Sequence, residues 1–263
     1  VPNLNDFLSS DDHTRFYMFT GEPGTWKSGE ACAFPGPQYQ FQFDQKISSL
    51  ALPVRNRKQD GSLIDYDNYS DWNTARKKLE SLQLNCKYKT IVVDSITSQA
   101  DAINLQTIRV KSGTTNKSGG EAGMRIAGIP VNSLEDYKAE NSAFQQTIAI
   151  LRDIREYHKC NIILIAHVQG EHDKDKQSSR LIITGGKAIS GKLAAYCEEI
   201  YYFSREKSLD PNKPGERIVS TVHTGNDFAR TTLDLPPKIK LDPNKSLYEG
   251  YILPALMSLK KKD

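Results

Sequence analysis

Gly21-Glu22-Pro23-Gly24-Thr25-Trp26-Lys27-Ser28 is the stretch that decides how this chain folds. It follows Arg15-Phe16-Tyr17-Met18-Phe19-Thr20, a short apolar run that reads as a buried strand, and it is placed to open a helix. A glycine-rich turn between strand and helix lets backbone N–H groups converge on phosphate oxygens. In the spacing G-x-x-x-x-G-K-[ST], Lys27 would reach the β- and γ-phosphates and the Ser28 hydroxyl would ligate Mg²⁺. One position departs from that spacing: Trp26 stands where glycine is expected before the lysine. A bulky residue there could distort the loop or shield a nucleotide. The plain alternative is an ordinary Gly/Pro turn before a helix.

The surrounding pattern supports the first reading. Thr90-Ile91-Val92-Val93 is a β-branched run typical of a strand buried on both faces, and it ends in Asp94, a carboxylate placed to orient a Mg²⁺ shell. Asn161 to Ala166 is a second such strand and ends in His167. Tyr39 to Asp44 alternates aromatic and polar residues, and Ser62 to Tyr66 reads as a further strand. Ile200 to Phe203 and Ile218 to Val222 read as later strands. Asp71 to Leu84, Phe144 to His158 and Lys192 to Cys197 carry helical spacing. Strands alternating with helices predict an α/β fold with a mainly parallel central sheet and helices on both faces. The expected organisation is an N-terminal segment 1–14, one core domain 15–241 and a C-terminal segment 242–263.

A hydrolytic site also needs a base. Position 95 is Ser rather than the Glu that many ATPases place after the strand-end Asp. Asp71 is the first candidate, with Asp67, Asp65 and Asp44 remaining, and each is also readable as a surface acid. His167 could sense the γ-phosphate and pass its state to the segment that follows, or could be a hydrogen-bonded strand-end histidine.

Two polar segments interrupt the alternation and read as long loops, Arg109 to Val131 and Gly170 to Lys187. In the first, Arg109, Lys111, Lys117 and Arg125 face only Glu121, a local net charge of +3 among several glycines. In the second, Lys174, Lys176, Arg180 and Lys187 are nearly balanced by Glu171, Asp173 and Asp175. Neither has an aromatic residue to stack bases, so contact with nucleic acid would run through phosphates. The alternative is a pair of solvated loops.

Composition sets the outer bounds. In 263 residues, 35 Lys and Arg against 32 Asp and Glu give a net charge of +3, so any basic surface must be local. The four cysteines, Cys32, Cys86, Cys160 and Cys197, lack metal-ligand spacing and read as reduced residues of an intracellular protein. No apolar run is long enough for a membrane span, and Val1 to Asp12 lacks the basic-then-apolar pattern of a leader.

Taken in order, Gly21–Ser28, Ile91-Val92-Val93-Asp94-Ser95, Ile163-Leu164-Ile165-Ala166-His167 and Thr184-Gly185-Gly186-Lys187-Ala188 resemble the RecA/RadA core. The resemblance is closest to the small RecA-like ATPases of bacteriophages that support single-strand annealing and recombination. Ile189 to Ala194, leading into Glu198 to Phe203, shares that character, and the resemblance covers Arg15 to Lys240. It implies a RecA-like P-loop NTPase core with ATP and Mg²⁺ as cofactors. The nucleotide would be held by Gly21, Glu22, Pro23, Gly24, Thr25, Trp26, Lys27 and Ser28, and the metal by Ser28 and Asp94. ATP would sit between subunits of a homo-oligomeric ring or filament. By position, the two long segments would face single-stranded DNA through Arg109, Lys111, Lys117, Arg125, Lys174, Lys176 and Arg180. His167 would couple the γ-phosphate to the second of them. Asp71 would be the catalytic carboxylate, shorter than the family's Glu, and Arg230 the basic residue offered to a neighbour, with Lys238 second. The implied setting is the cytoplasm, the host's if the chain is phage-encoded, away from membranes and beside recombination or single-strand-binding proteins. The large polymerisation element and extended C-terminal domain of full-length recombinases are not seen. Two rivals stay open: a motor ATPase of the ring-helicase or DNA-packaging kind, and a weakly hydrolysing, nucleotide-dependent assembly protein.

Overall fold

The computed structural model describes residues 13–56, 61–113, 125–126, 129–130, 134–172, 178–182, 187–206, 208, 215–223 and 228–259. Strand β1 (Phe16–Gly21) runs through the glycine-rich turn into α1 (Lys27–Ala31), followed by β2 (Gln38–Gln42), a 3₁₀ turn and α2 (Ala51–Asn56). Then come β3 (Ile64–Asn68), α3 (Trp72–Leu84), β4 (Thr90–Asp94) and α4 (Ile96–Gly113). A small ribbon of β5 (Arg125–Ile126) and β6 (Ile129–Pro130) precedes α5 (Leu134–His158). The chain continues with β7 (Asn161–His172), β8 (Ser178–Ile182), α6 (Lys187–Tyr196), β9 (Glu199–Arg205), β10 (Arg217–Ser220), β11 (Lys238–Lys240) and α7 (Leu253–Leu259).

The main sheet has the order β11-β10-β9-β1-β7-β4-β2-β3, with β8 paired to β7 outside that path. From β9 to β3 every neighbouring pair is parallel, whereas β10 and β11 join antiparallel. Side chains alternate across the sheet and build two cores. Phe16, Met18, Ile91, Val93, Ile162 and Leu164 face Trp72, Leu79, Phe144 and Leu151 of α3 and α5. Tyr17, Phe19, Val92, Ile163 and Ile165 face Phe34, Leu247, Ile252 and Leu256 on the other side. Burial on both faces is why β4 and β7 read as unbroken apolar runs. Because β1 lies between β7 and β9 and feeds α1 to one face while α3 to α6 cover the other, a crevice opens at the C-terminal ends of β1, β4 and β7.

Several boundaries differ from the sequence reading. The polar residues of β2 do not face water: Gln38, Gln40 and Gln42 are each 1 % exposed. Gln38 Nε2 donates to the Phe34 and Cys32 carbonyls at 2.6 and 3.0 Å, and Gln42 Nε2 donates to Gln40 Oε1 at 2.9 Å, so this face is covered yet satisfied. Helix α5 begins at Leu134 rather than Phe144. Helix α4 runs to Gly113, so Arg109 and Lys111 are helical rather than in a loop, and Arg125 lies on β5. Past His167, β7 continues to His172 and pairs antiparallel with β8, Val168 opposite Ile182 and Gly170 opposite Arg180. The described residues of the expected second loop, 170–172 and 178–182, are therefore paired strands. Backbone pairing holds them beyond the core sheet, which leaves no apolar period to read. Lys117, Lys174, Lys176 and Thr184 to Gly186 lie outside the described residues.

The C-terminal residues pack against the second core, and Leu247 N donates to the buried Glu30 carboxylate of α1 at 2.8 Å. Among the described residues no helix is long and apolar enough to cross a membrane. None of the four cysteines is in a disulfide, and no group of three or more His, Cys, Asp or Glu among the described residues is placed to hold a metal.

Candidate functional site

The loop after β1 is shaped by two glycines and one tryptophan. A Cβ on Gly21 (φ 140°) would sit 2.1 Å from the Phe203 carbonyl of β9, so only glycine lets β1 turn there. Gly24 (φ 79°) and Trp26 (φ 71°, ψ 19°) both take left-handed backbone conformations. Trp26 thus occupies the glycine-like conformation the motif asks for, with an indole attached, and the chain enters α1 at Lys27.

Lys27 is 4 % exposed. Its Nζ donates to the Gly21 and Glu22 carbonyls at 2.8 Å each. Burial pulls its pKa from 10.5 down to about 8, against the pull of Asp94, Asp44 and Glu22 toward the charged form. Ser28, one residue on, hydrogen-bonds the Asp94 carboxylate, which burial pushes up. The oxygen pair of Ser28 and Asp94 matches what Mg²⁺ takes from P-loop proteins, hard donors few in number with the other positions left to phosphate and water. The Asp94–Ser95 peptide is cis.

Asp44 follows β2 and stands beside Asp94. Gln42 is the register partner of Asp94, and the Asp94 carbonyl accepts from Phe43 N at 2.7 Å and Asp44 N at 3.2 Å. Asp44 Oδ1 accepts from Ser95 Oγ at 2.9 Å and from Ser98 Oγ, while Oδ2 meets His167 Nε2 at 3.3 Å. Burial alone would raise the Asp44 pKa; hydrogen bonds from His167, Ser98 and Ser95 outweigh it and hold the group well below the ordinary carboxylate range. His167 N donates to Thr97 Oγ1 at 3.0 Å, and its buried Nδ1 has no hydrogen-bond partner.

These groups line one cleft of about 280 Å³, together with Pro23, Gly24, Thr25, Trp26, Gly29, Lys46, Ser49 and Pro53. The sequence-picked Lys27, Ser28, Asp94 and His167 are therefore brought together. Asp71 is not among the lining residues. It is the N-cap of α3, its Oδ1 accepting from Thr74 N at 3.1 Å. Asp67 accepts from the Tyr39 hydroxyl, and Asp65 from the Tyr88 hydroxyl at 2.7 Å and Lys87 at 3.2 Å. Of the four candidate bases, the one that lines the cleft is Asp44. Its signal in the sequence was its position just past a strand end, as for Asp94. Lys46, Ser49 and Pro53 had no such signal: Lys46 stands just before the 3₁₀ turn, Ser49 lies in it and Pro53 lies in α2, none of them at a strand end.

Arg230 points away from this cleft. Its backbone bridges Ile200 near the start of β9, at the opposite end of the parallel strands, and its guanidinium donates to the Ala194 carbonyl at 3.1 Å and to that of Cys197. Arg109 is exposed on α4.

A mainly parallel sheet with a glycine-rich phosphate loop after its central strand, and acids from the adjoining strand ends beside it, defines a RecA-like P-loop ATPase fold. The structure is similar to a crystal structure of the RadB recombinase at a TM-score of 0.53, with 14 % identity over 88 % of each chain. The model of a family described as an AAA domain matches residues 17–233, and the chain belongs to that family. No curated protein matches it.

Proposed function

We propose that this chain is a Mg²⁺-dependent ATPase that binds single-stranded DNA and works as a homo-oligomer in recombination or annealing of the bacteriophage type. The observation that carries this reading is the meeting of Lys27, Ser28, Asp94, Asp44 and His167 in one cleft, with His167 on the strand that runs on into the β7–β8 hairpin.

Lys27 would exchange its two backbone carbonyls for phosphate oxygens, a swap that favours its ammonium form. Ser28 and Asp94 would hold Mg²⁺, which supplies neutralisation of phosphate charge. Asp44, kept ionised by its hydrogen bonds, is the acceptor best placed to orient an attacking water. His167 would exchange Asp44 for the γ-phosphate or its water, altering the base of the hairpin with nucleotide state. In an assembly, Arg230 would have to leave the Ala194 and Cys197 carbonyls to serve a neighbour's site. Lys238, exposed on β11, is the second choice. The basic residues of the 109–131 and 170–187 segments would contact DNA phosphates, alone or alongside single-strand-binding proteins.

The test is ATP hydrolysis with and without single-stranded DNA. Stimulation by DNA is expected. Turnover indifferent to DNA would favour a nucleotide-dependent assembly protein, and strand separation or translocation would favour a motor.

A further inference from the structure

The Trp26 ring does not hang free over the cleft. The Arg217 guanidinium lies over it, 3.1 Å from the ring centroid. Arg217 opens β10 and is fixed on both sides, paired with Arg205 of β9 and accepting from Leu241 N at 2.9 Å through its carbonyl. The path from β1 is short: Gly21 is in register with Phe203, and Phe203 with Val219 of β10. The β9–β10 corner and the phosphate loop therefore lie at the same end of the sheet, beyond the C-terminal ends of β1 and β9.

Trp26 holds φ 71°, a region that bulky L residues seldom adopt and that glycine enters without penalty. It has no side-chain hydrogen bond to cap α1. Two contacts oppose relaxation of this residue: its carbonyl accepts from Glu30 N at 3.0 Å, and its indole lies against a cation on β10. We propose that Arg217 is a positioning residue for nucleotide binding. By stacking on Trp26 it holds the phosphate loop in the left-handed conformation that glycine supplies in the usual motif, so that Lys27 and Ser28 face the phosphates. The proposal rests on the nucleotide reading above. It also separates two roles for the arginine. A cation attracting phosphate directly would act whatever residue stands at position 26, whereas a clamp acts only through the indole.

The experiment is a double-mutant cycle on the full chain, with Mg·ATP affinity measured by calorimetry for wild type, Arg217→Ala, Trp26→Gly and the double variant. Arg217→Gln, which keeps the stem, guards against a folding defect. Arg217→Ala and Arg217→Gln are expected to weaken binding roughly tenfold when Trp26 is present, the scale of a partly desolvated cation–π contact. On the Trp26→Gly chain, Arg217→Ala is expected to change affinity less than about twofold. Equal losses in both backgrounds, or no loss in either while the wild type binds ATP, would overturn the clamp and leave the nucleotide reading standing. A folded wild type that binds no nucleotide would overturn both.

Discussion

His167 Nε2 lies 3.3 Å from Asp44 Oδ2, which joins a residue midway along β7 to the acid just past β2. With Nδ1 buried and unpartnered, the imidazole has one side-chain attachment, and that attachment is the proposed water-orienting acid. Any ligand group that takes Asp44 away also releases the first residue after the core of β7. Replacing His167 with Ala should preserve ATP binding and erase the difference in DNA affinity between the ATP and ADP states. Parallel DNA titrations with each nucleotide check this; an unchanged ratio would make His167 structural only.

Asp44 and Asp71 make opposite predictions. Asp44→Asn should lower kcat by roughly a hundredfold or more with KM little changed, as loss of a group that orients the attacking water does. Asp71→Ala should leave kcat near wild type and cost about 1 kcal/mol of stability through the lost α3 cap. Steady-state kinetics with a denaturant melt of each variant decides between them.

Lys27→Ala should weaken Mg·ATP binding by about a hundredfold, the scale of a lost charge-assisted phosphate contact, while the variant stays folded. Asp94→Asn should spare most nucleotide affinity and lose turnover. Calorimetric titration and turnover of both variants test the assignment, and wild-type behaviour in both would remove this cleft from the chemistry.

Lys27 also sets a pH dependence. Its folded-state pKa of about 8 lies below the ordinary 10.5, so the unfolded chain holds the extra proton between those values. From this group, stability of the unliganded protein therefore rises with pH from about 8 toward 10.5, and the full penalty of a buried ammonium is carried below about 8. ATP affinity should move the other way, falling above pH 8 by at most about tenfold per pH unit as the ammonium is lost. Melts and ATP titrations from pH 7 to 9.5 should show the opposed trends, and Lys27→Ala should show neither.

Lys111→Ala with Lys117→Ala should weaken binding to mixed single-stranded sequences alike and flatten the log–log salt slope by about 1.4, roughly 0.7 per phosphate contact. ATP binding should be intact. Identical slopes over a salt series would take this segment out of the DNA site.

Much of this architecture can be read from residues alone. Ile91 to Val93 and Ile162 to Ala166 are apolar on both faces because helices cover both sides of the sheet, and that leaves an unbroken signature. The turn from β1 into α1 was equally readable, since Gly21 and Gly24 each answer a local geometric need. The glutamines of β2 were not, because alternation looks the same whether the polar face meets water or a helix. Asp44 was hidden among four acids: proximity to Asp94 depends on β2 lying beside β4, which sequence order does not state. The β7–β8 hairpin and the end of α4 were read as loops because neither needs an apolar stripe. Trp26 was seen as a blemish in the motif, and its partner Arg217 is far along the chain.

The seat of Trp26 has a further consequence, an optical one. The chain contains two tryptophans. Trp72 is 6 % exposed in the main core, and Trp26 lines the cleft beneath a guanidinium. One indole thus reports on the integrity of the sheet packing and the other on the phosphate loop. With nucleotide in the cleft as proposed, the intrinsic emission of this protein would divide by position into a folding signal and an occupancy signal, with no dye attached.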